Sequence, residues 1–226
     1  MKIAVLGTGN VGKTIAAKLN SLGHDVYMGT RDTQQTLSRP APNAKSQDFA
    51  TWLSDQPRVV LCAFGDIPQD IELFVNATNG NASAEALSLV GASKLDGKVV
   101  LDLSNGFDYS NGMPPALSVC NTTSLVETLQ EQFPGAQFVK SLNTMNCSVM
   151  MNPGLVPGDH NVFVSGTDQA KRPVINLLQE IGWAAQNIID LGDLSTARGT
   201  EMLLPIWLRL YGKLGTATFN FNVVKG

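Results

Sequence analysis

MKIAVLGTGNVGKTIAAKLNSLGHDVYMGTRD, residues 1–32, decides how the rest of the chain is read. An apolar run, Ile3-Ala4-Val5-Leu6, leads into Gly7, Gly9 and Gly12, which stand in G-x-G-x-x-G spacing. Apolar residues then recur at Val11, Ile15, Ala16 and Leu19 with a helical period. Gly23 stops that pattern before a second strand, His24 to Gly29. Strand, glycine turn, helix and strand in this order form the context in which the glycine fingerprint binds a dinucleotide. Gly7 permits the tight turn, Gly9 lets the backbone approach a pyrophosphate, and Gly12 brings helix close to strand. The first N–H groups of the helix lack intrahelical partners and carry partial positive charge, which suits phosphate.

The end of the second strand selects between dinucleotides. An acidic residue there, about 20 residues on, takes the ribose 2′-OH of NAD. This chain delivers Thr30 and Arg31 to that place. A hydroxyl and a guanidinium suit a 2′-phosphate, and a carboxylate would repel it. NADP is therefore the expected cofactor. NAD is the alternative if the strand ends later and brings Asp32 to the ribose.

A chain of 226 residues, 43% of them hydrophobic, accommodates one large domain, or a domain with a small appendage, around a sizeable core. The net charge of −3 is slight and implies neither a nucleic-acid nor a membrane partner. No apolar stretch reaches bilayer length; Met202 to Leu214 comes closest, interrupted by Pro205, Arg209 and Lys213. With the fingerprint starting at Gly7, a signal peptide is not expected and the expected location is the cytoplasm. Cys62, Cys120 and Cys147 are scattered without a C-x-x-C, so neither a disulfide framework nor a metal site is expected.

Further along, Thr33 to Lys45 reads as loop, with Pro40 and Pro42, and Ser46 to Gln56 as a short helix. Buried strands are expected at Arg58–Phe64, Lys98–Leu103, Gln137–Leu142, Asn161–Ser165 and Asn187–Leu191, and helices at Ser83–Leu95, Thr122–Phe133 and Asp168–Ile181. This alternation predicts an α/β fold, a doubly wound and mostly parallel sheet of the NAD(P)-binding Rossmann type over residues 1–192. Residues 193–226 are expected as a small C-terminal extension: an apolar helix, Leu194 to Leu214, then a possible strand at Thr216–Val224.

In such sheets ligands bind outside the carboxyl ends of the strands. Three strand exits therefore supply candidates. Ala63-Phe64-Gly65-Asp66 has small residues that would let the chain approach a cofactor. Ser104-Asn105-Gly106-Phe107 could touch the nicotinamide end through Ser104 or Asn105, or be an ordinary turn. Asn143-Thr144-Met145-Asn146-Cys147 offers amide and hydroxyl groups for a carboxamide or carbonyl, and Met and Cys for a flat ring, or simply a turn and cap. Lys140 reads either as an inward acid or, as is commoner, as a side chain snorkelling out of its strand. His24 and His160 read as surface residues, and Asp102 as a buried structural carboxylate. No triad or paired-carboxylate arrangement stands out, and no catalytic residue is assigned. Hydride transfer to a flavin-like ring needs alignment more than protein acids.

Three segments carry a resemblance: GTGNVG with GTR after the second strand, VKSLNTMNCSVM at Val139–Met150, and DLGDLSTARGTEMLLPIWLRL at Asp190–Leu210. In this order the chain resembles the NADPH-dependent reductases of the deazaflavin coenzyme F420 and their dinucleotide-binding relatives. That superfamily also takes in pyrroline-carboxylate reductases and the oxidoreductase domains of membrane ferric reductases. The resemblance implies that Thr8, Gly9, Asn10 and Val11 cradle the pyrophosphate, that Thr30 and Arg31 hold the 2′-phosphate, and that Ala63, Phe64 and Asn143 lie near the nicotinamide. It also implies a homodimer, with the apolar C-terminal helix (Leu203, Leu204, Ile206, Trp207, Leu208, Leu210) near the subunit contact and the acceptor pocket. A helix buried within its own monomer is the alternative. Arg198 and Glu201, three apart, are expected as a pair on the helix surface. The chain departs from the family at Phe64-Gly65, where a proline usually stands, and in long Asn- and Gly-rich loops at Asn76–Ser83 and Ser104–Pro115.

The function so implied is an NADP-dependent oxidoreductase passing hydride to or from a deazaflavin, flavin or similar flat acceptor. Two alternatives stay open. One is an NADPH-dependent reductase of a small imine or carbonyl, with Lys140 or Tyr109 as proton donor. The other is a non-catalytic NADPH-binding module that reports redox state.

Overall fold

The computed structural model describes residues 1–44 and 46–226. Apolar runs become strands and amphipathic stretches become the helices that cover them. In chain order the first half is β1 (Lys2–Leu6), α1 (Asn10–Ser21), β2 (Asp25–Thr30), α2 (Thr33–Leu37), α3 (Phe49–Ser54), β3 (Val59–Ala63), β4 (Leu73–Asn76), α4 (Gly80–Val90), α5 (Ala92–Leu95) and β5 (Val99–Asp102). A small hairpin of β6 (Phe107–Asp108) and β7 (Ala116–Leu117) precedes α6 (Leu125–Gln132), β8 (Gln137–Ser141), α7 (Cys147–Met151), β9 (Val162–Ser165), α8 (Asp168–Ile181), β10 (Ile188–Gly192), α9 (Ala197–Met202) and α10 (Leu204–Leu214).

Among the described residues the main sheet has eight strands in the order β10-β9-β8-β5-β4-β1-β2-β3. The strands from β8 across to β3 are all parallel; β9 reverses against β8, and β10 runs parallel to β9. Parallel neighbours need crossover connections, and here helices supply them and cover both faces. Ile3 and Val5 of β1 join one core with Ile15 and Leu19 of α1 and Leu178 of α8. Ala4 and Leu6 join the other with Leu87 of α4 and Leu129 of α6. The chain order reverses between β1 and β4, so the crevice for a ligand opens above the ends of those two strands.

Several expectations are corrected. The stretch expected as loop from Thr33 contains α2, because Asp32 caps it by accepting from the Gln35 N–H at 2.9 Å; Lys45, its last residue, lies outside the described residues. Strand β4 was not anticipated, since it offers only three apolar residues, Leu73-Phe74-Val75, before Asn76, yet all four are buried. The stretch Asn76–Ser83 is consequently no long loop: α4 begins at Gly80, capped by Asn79, and breaks at Gly91, where φ is +97°. The single helix expected over Leu194–Leu214 is a 3-10 turn, α9 and α10, with Pro205 in the first turn of α10, where its missing N–H costs nothing. Among the described residues 216–226 no strand forms, although the Asn161 N–H donates to the Phe221 carbonyl at 2.8 Å. Both histidines are buried rather than superficial. His24 meets the N-terminal amine at 3.2 Å and Glu180 at 3.3 Å, and His160 meets the Pro153 carbonyl at 3.0 Å with its ring edge-on to Trp183.

Candidate active site

The glycine turn after β1 is shaped by close approaches that side chains would block. Gly7 has φ +107°, a conformation that glycine adopts without strain. A Cβ on Gly12 would lie 2.0 Å from the Gly7 carbonyl oxygen, whereas one on Gly9 would meet nothing within 4 Å. Gly9 is also the N-cap of α1 and brings no side chain to its first N–H groups. That leaves donors and open space where an anion fits.

Two cavities meet at this turn. The smaller, of about 270 Å³, runs from Gly7, Thr8 and Gly9 to Thr30, Arg31 and Arg39. Thr30 is buried, and its hydroxyl lies 2.8 Å from that of Thr36. Arg31 is 71% exposed and 4.0 Å from the Glu85 carboxylate. With its carboxylate turned to cap α2, Asp32 does not line this cavity. Phe64 lines it, packed so closely on Gly29 that a Cβ there would lie 2.8 Å from the Phe64 ring.

Arg39 escaped the reading of the sequence. Its guanidinium donates to the Thr8 carbonyl at 2.8 Å and to the Thr8 hydroxyl at 3.1 Å, and lies over the Phe49 ring. The signal available was a second arginine in the polar segment just after the second strand.

The larger cavity, of about 360 Å³, lies on the other side of the turn. Amides from Asn10, Asn105, Asn143 and Asn146 share its lining with Leu103, Met145, Met150, Leu204 and the rings of Phe107 and Trp207. Asn105 and Asn143 are locked together. The Asn105 amide donates to the Asn143 carbonyl at 3.1 Å, and the Asn143 amide donates to Asn105 Oδ1 at 3.1 Å and to the Thr200 carbonyl at 3.2 Å. Both N–H groups of Asn143 are thereby used, and its Oδ1 is the atom left for a ligand. Cys147 has its sulfur 3.6 Å from both Asn10 Nδ2 and Thr14 Oγ1. Among the described residues, no Asp, Glu, Lys, Arg, His or Tyr lines this cavity. Ala63 lines neither cavity. Gly9, Ala77, Thr78 and Asn79 line both; the last three were missed along with β4, whose short run Leu73–Asn76 followed by Asn79-Gly80 was the signal available.

Beneath the cavity floor, Lys140 does not snorkel outward. It is wholly buried, and its ammonium donates to Asp102 Oδ2 at 2.7 Å, to Glu201 Oε1 at 2.8 Å and to the Ser104 carbonyl. Burial pulls its pKa down, but the charges and hydrogen bonds of Asp102 and Glu201 outweigh this and hold it above the usual lysine value. Asp102 is a buried, hydrogen-bonded carboxylate. Arg198 and Glu201 do not form the expected surface pair. Arg198 reaches Glu127 at 2.6 Å, and Glu201 turns inward. Tyr109 stands 51% exposed between β6 and β7 and does not line the cavity.

Fold and site together define a dinucleotide-binding domain whose phosphate cradle suits a diphosphate, with a second, mainly uncharged cavity beside it. The chain belongs to the coenzyme F420-dependent NADP oxidoreductases, a family of NADP-dependent enzymes, and its residues 2–106 match that family's description, "NADP oxidoreductase coenzyme F420-dependent". It is 53% identical to a candidate F420-dependent NADP-reductase from Arthrobacter sp. FB24 whose crystal structure superposes with a TM-score of 0.93, covering 100% of both chains. It is 24% identical over 211 residues to the metalloreductase STEAP3 of Rattus norvegicus, covering 91% of this chain and 38% of that protein. An imine reductase from Aspergillus terreus, solved with NADPH4, shares the fold at 17% identity and a TM-score of 0.59, over 95% of this chain and 62% of its own. The chain spans less than two thirds of the length of the curated relatives it matches. No helix among the described residues is long and apolar enough to cross a membrane.

Proposed function

We propose that this chain passes hydride between NADPH and a deazaflavin, flavin or similar flat acceptor seated in the larger cavity. Bound in the crevice, the nicotinamide cofactor supplies the hydride chemistry. Gly7, Thr8, Gly9, Asn10, Val11 and Gly12 would hold its pyrophosphate, with Arg39 bracing Thr8 of that turn, and Thr30 and Arg31 would hold its 2′-phosphate. Asn105 and Asn143 would orient the nicotinamide end. In this reading Phe64 belongs with the adenosine side, whose cavity it lines, and Ala63, which lines neither cavity, makes no contact with the cofactor.

The observation that carries the reading is the chemistry of the larger cavity. Its lining is apolar surface, aromatic rings and neutral amides, with the Cys147 thiol as its one ionisable group among the described residues. Reduction of an imine or carbonyl needs a positioned proton donor. Lys140 has all three ammonium N–H groups bonded inside the core, and Tyr109 is outside the cavity. A flat conjugated acceptor asks of the protein mainly alignment and the exclusion of water, which stacked rings and fixed amides supply.

Leu204 is the buried residue of α10, while Ile206, Tyr211 and Leu214 of that helix are exposed. This supports a homodimer formed on that face, and a cytoplasmic enzyme is the setting we infer. Residues 1–192 act as the NADP-binding part and 193–226 as the part that completes the acceptor pocket. Anaerobic stopped-flow absorbance tests the reading. Oxidation of NADPH by a 5-deazaflavin or a flavin is the expected result. Oxidation with imines or carbonyls alone, or tight NADPH binding without turnover, would overturn it.

A further inference from the structure

We propose that Glu201 and Lys140 are positioning residues that hold the acceptor wall of the larger cavity in place against its cofactor side. The inference rests on the reading of that cavity given above. It starts from what one carboxylate joins. Glu201, on α9, accepts the N–H groups of Leu125 at 2.7 Å and Val126 at 3.2 Å, the first two of α6, and it accepts from Lys140 of β8 at 2.8 Å. Lys140 continues to Asp102 at the end of β5 and to the Ser104 carbonyl just beyond it. Asp102 in turn accepts from Asn76, at the end of β4, at 2.6 Å and from the Ser104 hydroxyl at 2.8 Å. One buried cluster therefore ties together the exits of β4, β5 and β8, the start of α6, and α9.

The residues that follow these anchors are the cavity wall. Ala77 to Asn79 follow Asn76, Asn105 follows Ser104, and Asn143 follows the end of β8. The neighbour of Glu201, Thr200, accepts the Asn143 amide, and Leu204 and Trp207 come next along the chain. The strands keep their register through their own ladders. Helix α10 leaves Ile206, Tyr211 and Leu214 exposed, while Trp207 stacks on Tyr211 and on Phe219 of the following segment, which is pinned at Asn161. At its start the helix is fixed by the anchorage of the preceding turn, which sets where Leu204 and Trp207 enter over the cavity, and Glu201 is the charged part of that anchorage. Ionic groups in a dry core are a weak source of stability beside packed apolar side chains; fixing one arrangement over others is their better-attested use.

The test is Glu201→Gln, in which an amide N–H replaces an acceptor that three donors require. Three quantities are read on the full chain: the NADPH Kd by fluorescence, hydrogen exchange across residues 203–214, and kcat and KM with a 5-deazaflavin. The NADPH Kd should rise by no more than about threefold, well short of the change in acceptor KM, because the glycine turn, Thr30, Arg31 and Arg39 lie outside the cluster. Exchange across 203–214 should quicken about tenfold or more as the local opening free energy falls. The acceptor KM should rise, and kcat fall, by about tenfold each, as expected when a reacting partner is misplaced by an ångström or less. Arg198→Met is the control: it cuts the outer link between α9 and α6, spares the buried cluster, and should leave both acceptor constants unchanged.

If Glu201→Gln does not fold, the triple variant Asp102→Asn, Lys140→Met, Glu201→Met removes all three charges together and keeps an acceptor for Asn76 and Ser104, a replacement of the kind that cores commonly tolerate. The same three results are expected of it. Wild-type exchange and acceptor KM in a folded variant overturn the proposal. So does an equal rise in NADPH Kd and acceptor KM, which would mean general loosening, and so does failure of both variants to fold. If wild-type enzyme turns over no deazaflavin or flavin, the proposed function fails, while hydrogen exchange still decides whether Glu201 holds α10.

Discussion

Gly12 packs against Gly7 so closely that a single added methyl group would stand 2.0 Å from the Gly7 carbonyl oxygen. Gly9, between them in sequence, faces open space. The two positions therefore fail differently. Gly12→Ala should cost about 3 kcal/mol of stability, since the atom it meets is backbone and cannot give way. Gly9→Ala should cost about 1 kcal/mol, the difference between glycine and alanine at an N-cap, and should fold. Its methyl group would occupy the space a pyrophosphate needs, and NADPH affinity should fall at least about tenfold. Thermal denaturation and NADPH titration separate the two; a Gly9→Ala protein that binds NADPH normally would refute the placement of the diphosphate.

Arg31 and Arg39 should also separate. Arg31 has an exposed guanidinium with one distant carboxylate partner, Glu85. Its replacement by Ala should remove about 1.5–3 kcal/mol of charged hydrogen bonding, a ten- to hundredfold loss for NADPH with little change for NADH. Arg39 holds Thr8 of the glycine turn through two hydrogen bonds. Arg39→Ala should therefore weaken NADPH and NADH alike. Equal losses for both cofactors in Arg31→Ala would sink the 2′-phosphate assignment.

The cysteines should react in a set order. Burial, with the Asp66 carboxylate nearby, pushes the Cys62 thiol up to about 11. At pH 8 its thiolate fraction is about a thousandth, and alkylation requires thiolate. Cys120 is exposed on the loop before α6. Iodoacetamide followed by peptide mass spectrometry should find Cys120 modified well before Cys62. Early labelling of Cys62 would show that β3 opens readily.

The Arg198–Glu127 contact makes a prediction about acid. The Arg198 guanidinium, bonded to Glu127, holds that carboxyl below its ordinary value, and Ser124 assists. A carboxyl whose folded pKa is lowered stabilises the fold above its unfolded pKa, and this contribution is lost as pH falls through the folded value. The gap in Tm between wild type and Arg198→Met should thus be widest at neutral pH and close on acidification. A gap that widens in acid would contradict the pairing.

The exposed face of α10 predicts an assembly state. Light scattering at micromolar concentration should find a dimer, and Ile206→Asp should convert it to monomer by burying a charge in the contact. A monomeric wild type would leave that apolar face unexplained and remove the dimer from the reading.

The first β-α-β unit was legible because its determinants are local: glycine spacing, a long amphipathic period and an abrupt stop at Gly23. The alternation of strands and helices extended that reading through β5 and β8 to β10. Strand β4 was not legible, because three apolar residues, Leu73-Phe74-Val75, between Glu72 and Asn76 carry no period to recognise. Losing it hid Thr78 and Asn79, which line both cavities. The partners of Lys140 and Arg198 were hidden for another reason. Glu201 and Glu127 are brought to them by tertiary folding, whereas spacing alone favours the nearer pair of Arg198 with Glu201. Of the proposed cofactor residues, those on the glycine turn came from chemistry readable in the chain itself, while Arg39 needed the turn of α2 to bring it back to Thr8.

Ala77, Thr78 and Asn79 form a bulkhead common to the two compartments. Substitutions there will be pleiotropic: a change selected for one small molecule will be felt by the other. Phe107 and Trp207 stand in one compartment only, on a hairpin and a terminal helix outside the main sheet. Under the proposed reading, directed evolution toward a new acceptor has its freest ground at those two aromatic positions.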